Sequence, residues 1–305
     1  MELRSVIKKN ARRALSGFWG QAIAIALLVI GCQLLLLIAE TLLMHFLDVP
    51  TYIDVNGTPD NPFDDMPNIS PASFLLLGGG WLLSLLIGMP LTYGVRRWFY
   101  IRSGGHHLDF GDVFFYFESL RSYLKCLWIE LCTGLRRLLW CAAFLLPGIT
   151  CTLLGKWAVR FASTDGERML ADGLTISGMI IWICGGILLI IFLQRYALTR
   201  YVFFEYRDIA AGQAIQLSII GSRRYRIQMS IFCLSFAGWF LLCLLGIPLL
   251  FVLPYFLMAH SIYARLLIHE SDLSGQLDEM YREQERKWAE NRDPESQWMG
   301  RGNPE

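Results

Sequence analysis

The sequence predicts an all-α, polytopic transmembrane helical bundle with about six spanning helices and additional amphipathic helices at the membrane surface. Hydrophobic residues make up 54% of the 305-residue chain and charged residues only 17%, whereas globular domains carry about 25% charged residues. The apolar residues are gathered into runs of about 20, the length at which a helix crosses the ~30 Å hydrocarbon core of a bilayer. A chain of this composition cannot cover itself with polar surface in water.

The order of these runs divides the chain into three segments. Residues 1–20 form a cationic amphipathic segment, 21–268 the transmembrane bundle and 269–305 a polar tail. The last two spans share one apolar run that is too long for a single crossing, and Gly246 with Pro248 supplies a turn where the chain can reverse. The six predicted spans lie at about 21–46, 73–95, 126–154, 176–198, 227–246 and 247–268.

The distribution of charge predicts the orientation. Most of the Lys and Arg residues lie in the N-terminal segment, the second-to-third and fourth-to-fifth connections and the tail. The first connection, 47–72, has no Lys or Arg and contains several aspartates and prolines, which indicates an exposed acidic loop. Because basic residues stay on the cytoplasmic side, we expect a multi-pass protein of the cell (cytoplasmic) membrane with both termini and the tail in the cytoplasm.

Two segments outside the spans have apolar residues at helical spacing. Leu3, Val6 and Ile7 lie among Lys and Arg residues near the N-terminus, and a stripe of phenylalanines and leucines runs through 109–124. This pattern predicts helices that lie on the membrane surface. The alternative is that both are connectors packed on the bundle.

Three ionisable residues, Glu130, Arg136 and Arg137, fall within the predicted third span. Charged groups inside a span are costly and usually face a bundle interior or a cavity, so these residues form a candidate intramembrane polar site. Glu130 and Arg137 are seven residues apart, which puts them on one helical face and about 10 Å apart along the axis. In the alternative interpretation the membrane part of this helix starts near Leu138, and the three residues lie at the interface.

Catalytic and cofactor motifs give no support for an enzyme. The sequence has no P-loop, no HExxH or GxSxG motif and no dinucleotide fingerprint, so we expect no enzymatic activity and no cofactor. The eight cysteines lie in apolar stretches without a CxxC pair, which argues against a disulfide framework or a zinc site. His106 and His107 are a weak metal-binding pattern, because adjacent histidines point in different directions.

Several short stretches, taken in order, resemble an uncharacterised family of bacterial integral membrane proteins, domain of unknown function 975. The resemblance covers most of residues 1–268 and implies a multi-helix membrane protein, but no activity and no catalytic residues. The chain departs from the family pattern after Pro147-Gly148, where about 30 extra residues precede the next helix. The stretches are KKNARRALSGFWG at 8–20, PLTYG at 90–94, RSYLK at 121–125, LPGI at 146–149, SRRYR at 222–226, GW at 238–239 and PY at 254–255.

Two functions from different classes remain open. The leading hypothesis is a membrane scaffold, sensor or partner-binding component, with the lipid bilayer and other membrane proteins as partners. The alternative is a small-solute transporter or channel with a polar site at Glu130, Arg136 and Arg137. The net charge of +1 gives no reason to expect nucleic-acid binding.

Overall fold

In the computed structural model the described residues, 2–47, 71–206, 209–246 and 248–292, fold into helices joined by short connections, and no strand occurs among them. This confirms the predicted all-α class. Shorter 3-10 helices lie at Phe110–Phe117, Gln194–Tyr196 and Cys243–Leu245. The α-helices are α1 Glu2–Leu15, α2 Trp19–Phe46, α3 Pro71–Ser103, α4 Leu120–Phe161, α5 Asp165–Leu193, α6 Thr199–Glu205, α7 Ala211–Ser222, α8 Arg226–Leu234, α9 Ala237–Leu242, α10 Leu249–Glu270 and α11 Leu273–Arg292.

Among the described residues, six helical stretches are long and apolar enough to cross a membrane, and they correspond in order to the six predicted spans. The predicted acidic loop, 48–70, lies outside the described residues, so its structure stays a prediction. The six stretches are Trp19–Phe46, Gly78–Ser103, Leu120–Phe161, Asp165–Glu205, Arg226–Leu245 and Leu249–Glu270.

The third and fourth spans differ from the prediction in length. The apolar pattern ends the third span at 154 and restarts at 176, whereas α4 continues to Phe161 and α5 begins at Asp165. Thr164 caps α5: its hydroxyl accepts a hydrogen bond from the Glu167 amide at 3.3 Å, and the Glu167 carboxylate accepts one from the Thr164 amide at 3.1 Å. The extra residues therefore lengthen a helical hairpin, because charged side chains end an apolar run without ending a helix.

The chain forms two compact units, of which the first comprises Met1–Leu131 and Ser235–Ile262. Its largest fully buried side chains lie near the end of α3, with Trp98, Tyr93 and Phe99 among them. Trp98 donates a hydrogen bond from Nε1 to the Asp109 carbonyl at 3.0 Å, which ties α3 to the connection that follows it. The largest side chains in the core of this unit are therefore aromatic.

The N-terminal helix α1 is packed against protein along one side. Ile7, Ala11 and Leu15 are buried at four-residue spacing, and Lys8 Nζ donates a hydrogen bond to the Ser235 carbonyl at 3.1 Å. Burial, with the nearby charges of Arg12 and Arg4, lowers the pKa of Lys8 below its ordinary value. Of the apolar residues predicted to meet lipid, Leu3 and Val6 are exposed and Ile7 is buried, so the helix combines both interpretations of this segment.

The second predicted surface helix is not a single α-helix. A 3-10 helix covers Phe110–Phe117, and α4 begins at Leu120. Val113 and Tyr116 are buried while Phe110 and Phe117 are exposed. The apolar stripe at 109–124 is therefore amphipathic as predicted, but it is divided between the 3-10 helix and the first turn of α4.

The predicted reversal at Gly246 is present. Gly246 has a φ of +79°, a left-handed conformation that glycine adopts without strain. Phe240 contacts Phe256 edge-to-face with ring centroids 5.2 Å apart, and Phe236 contacts Tyr255 at 5.5 Å in a tilted arrangement. These ring contacts hold the residues before the turn against α10.

The second unit comprises Cys132–Leu234 and Tyr263–Glu305. It includes the predicted tail helix, which is α11, where Arg286 and Glu283 form an exposed ion pair at 3.8 Å. The start of α11 is not solvated, because Leu273 and Leu277 are buried. The tail is therefore attached to its unit through its first two turns.

Candidate functional site

Glu130 is buried and hydrogen-bonded in the first unit. Its side chain is 9% exposed, and its Oε2 accepts a hydrogen bond from the Tyr93 hydroxyl at 2.9 Å. Tyr93 is fully buried and packs edge-to-face on Tyr116, with ring centroids 5.9 Å apart. A rigid aromatic donor on α3 therefore fixes the carboxylate.

A second charged side chain, Arg97, lies on the same helix as the tyrosine. Arg97 follows Tyr93 by four residues, which places both on one face of α3. Arg97 is 8% exposed, and its guanidinium carbon lies 3.8 Å from the centroid of the Phe115 ring, a favourable cation–π geometry. The helix face that donates to Glu130 thus also carries a buried positive charge.

Arg136 and Arg137 have different surroundings, and both belong to the second unit. Arg137 is half-buried and donates from Nη2 to the Tyr196 carbonyl at 3.3 Å, whereas Arg136 is exposed. Glu130 belongs to the first unit and Arg137 to the second. Their proposed coupling stays a prediction.

The packing of α4 on α5 fixes the level of the two arginines. An added Cβ at Gly148 would lie 2.5 Å from the Trp182 nitrogen, and one at Gly178 would lie 2.5 Å from the Thr152 nitrogen. The glycines therefore let the two backbones touch, as small residues do between membrane helices. The residue numbers of the contacting pairs rise on α4 as they fall on α5, so the two helices pack in an antiparallel register.

In this register the charge-free parts of the two helices lie opposite each other. No charged residue occurs between Arg137 and Lys156 or between Asp172 and Arg195. The 18 residues 138–155 rise about 27 Å, close to the thickness of the hydrocarbon core. Arg136 and Arg137 thus lie at the edge of the apolar segment, which favours the interfacial interpretation of these two residues.

A polar pair that links the first two spans was not predicted from the sequence. Ser84 on α3 donates a hydrogen bond to Gln33 Oε1 on α2 at 3.1 Å. The Glu40 carboxylate, two helical turns further on, occupies the space beside Gly80. A cavity of about 370 Å³ borders Glu40 and Gly79. The signal was available in the sequence, because Gln33 and Glu40 are seven residues apart within an apolar run.

None of these clusters has the composition of a metal centre. Within the described residues no group of three or more His, Cys, Asp or Glu side chains is placed to hold a metal ion. Asp112 is used structurally, since its Oδ2 accepts a hydrogen bond from the Asp109 amide at 2.7 Å. His106 and His107 are exposed.

The described residues contain six apolar helices that are long enough to span a membrane, and two of these helices make close contacts through glycines. This is the fold of a polytopic helical membrane protein. A family model with the description "Protein of unknown function (DUF975)" matches residues 1–270. The chain therefore belongs to this family, as the resemblance predicts, and the match covers all six candidate spans. The comparisons with curated proteins and with solved structures give no significant match.

Proposed function

We propose that this protein is a partner-binding scaffold of the cell (cytoplasmic) membrane, with both termini in the cytoplasm. The observation that carries the proposal is the uneven burial of the candidate spans. Only 11% and 17% of the most apolar windows in α4 and α5 are buried, whereas 67% of the window in α10 is buried. The hairpin therefore offers most of its membrane-embedded surface to other molecules.

The hairpin is suited to this role because its two helices pack closely on each other. Glycines at the α4–α5 contact allow close backbone packing, so the outer faces of the two helices stay available for other contacts.

A second available surface lies on α3, where Gly78 and Gly79 have open space where a Cβ would stand. A further helix can approach such a surface closely, and a transmembrane helix of another protein is the partner that fits it.

The experiment is photo-crosslinking in membranes at matched positions of α5. A benzophenone amino acid replaces Ile187, which is exposed, or Leu189, which is buried two residues away. Discrete protein adducts from position 187 and none from position 189 would support a partner. Lipid adducts alone at position 187, with the full-length protein at native abundance, would contradict the proposal.

The transporter hypothesis is supported by a different observation from the one that suggested it. A water-filled path needs polar groups within the apolar segment, and the Gln33–Ser84 pair with Glu40 supplies them. Solute or proton flux into liposomes that is lost in Glu40→Gln would favour transport. No flux above that of empty liposomes would favour the scaffold.

A further inference from the structure

Three arginines lie on three neighbouring elements of the second unit, at the basic end of the hairpin. Arg195 lies in the 3-10 helix Gln194–Tyr196, Arg223 follows α7, and Arg226 is the first residue of α8. Both α7 and α8 pack against the 3-10 helix. Arg195 and Arg223 lie close enough to Arg226 for their charges to act on it. We call these residues the arginine cluster, and we propose that it binds a phosphate-bearing anion at the membrane surface.

The cluster has an uncompensated positive charge. Within the described part of the chain, none of the three arginines is paired with a carboxylate. Like charges at short range repel, and the repulsion grows where protein and lipid replace water. Because Arg226 begins a helix, the partial positive charge of that helix end adds to the same field. A bound anion would relieve all these interactions together.

The guanidinium groups also have unused hydrogen-bond donors. The Nε atoms of Arg195 and Arg226 are shielded from solvent and have no acceptor among the residues that the structure describes. Shielded donors normally have a partner, and the planar fork of arginine matches the oxygens of a phosphate. An anion with several oxygens can accept from both side chains.

Arg195 is held in place by its surroundings rather than by a charge. Its guanidinium carbon lies 4.6 Å from the Phe192 ring centroid and 5.8 Å from that of Trp140. Its backbone carbonyl accepts a hydrogen bond from the Ser218 hydroxyl at 2.8 Å. An arginine oriented in advance loses little entropy when it binds.

The position of the cluster determines the class of ligand. Arg195 directly follows the charge-free part of α5, and Arg137 at the same level donates to the carbonyl of Tyr196. Trp140 and Tyr196, linked by an Nε1-to-hydroxyl hydrogen bond of 3.1 Å, are residues typical of the membrane–water interface. The phosphate of an anionic lipid headgroup meets the protein at this level, and so does a phosphate ion or phosphorylated solute from the aqueous side.

Thermal unfolding of the full chain in a neutral detergent tests the proposal. The midpoint Tm is recorded with added phosphatidylglycerol, with inorganic phosphate, or with sodium chloride at the same ionic strength. Binding to the folded state raises Tm, and above Kd the stabilisation grows with the logarithm of the ligand concentration. We expect phosphatidylglycerol or phosphate to raise Tm more than chloride does, and Arg195→Gln or Arg226→Gln to weaken the apparent affinity about tenfold.

The variants distinguish a site from general charge effects. Arg223 is exposed, so the Arg223→Gln variant should fold normally and lose part of its affinity for the anion. The Arg286→Gln variant, on the solvated part of α11, should bind the anion as the native protein does. A response to phosphatidylglycerol alone identifies a lipid site, and an equal response to phosphate identifies a site for a soluble ligand. If neither ligand exceeds chloride, or if Arg223→Gln and Arg286→Gln behave alike, the proposal is wrong.

Discussion

Replacing Gly185 with alanine should loosen the α4–α5 hairpin, whereas the same change at the next residue, Gly186, should not. A Cβ at position 185 would collide with the backbone carbonyl oxygen of Phe144, which cannot rotate away. A Cβ at position 186 would have no neighbour within 4 Å. The two variants therefore add the same methyl group to the same helix, and only one of them forces α4 and α5 apart.

The size of the effect follows from two opposing contributions. Overpacking a close contact costs about 1–3 kcal/mol, and alanine in place of glycine gains about 1 kcal/mol of helix propensity. Gly185→Ala should therefore lower the free energy of unfolding by up to about 2 kcal/mol, a factor of about 30 in the equilibrium. Gly186→Ala should leave it unchanged or raise it by up to about 1 kcal/mol.

Unfolding by SDS in mixed micelles, followed by pulse proteolysis, measures both variants against the native protein. Both should insert into membranes, because neither change alters the charge or the length of a span. Equal stabilities for the two variants would refute the packing argument, since helix propensity alone does not distinguish adjacent positions. A stabilised Gly185→Ala would show that α4 and α5 do not touch at this level.

Two further predictions concern the first unit and the tail. Tyr93→Phe should lower stability by about 1–3 kcal/mol, because the buried Glu130 carboxylate loses a donor; an unchanged SDS midpoint would contradict this. Truncation after Ser271 should leave membrane insertion intact but destabilise the second unit by several kcal/mol, because Leu273 and Leu277 lose their burial. A chain ending at residue 282, which keeps both leucines, is the control, and equal thermal stability of the two truncations would count against the argument.

The spans were predictable because membrane crossing is a local property of composition. The ends of the spanning helices were less predictable than their positions, as α4 and α5 demonstrate. Lys156 and Asp172 interrupt the hydrophobic pattern, but both residues are compatible with a helix, and the chain turns only at 162–164. Hydropathy thus locates the part that meets lipid, while the length of the helix depends on where a cap such as Thr164 occurs.

The candidate site was predictable only in part. Glu130 stood out as a single acid in an apolar run, but its donor Tyr93 is 37 residues away in sequence and becomes its neighbour through helix packing. Arg195 and Arg226 were informative about orientation, yet their proximity to each other depends on how α8 packs on the 3-10 helix. In each case the sequence identified the charged residue, but it could not predict which distant residues become its neighbours in the folded protein.

The short turn between α4 and α5 has a consequence for how the protein is made. Three residues, 162–164, join two helices whose charge-free parts lie side by side. Neither helix can leave the insertion machinery far ahead of the other, because the turn offers no slack, and the glycine contacts form only when both are present. We therefore expect the hairpin to enter the bilayer as one piece, after α5 has been synthesised, with the charges near its tip carried across the membrane together.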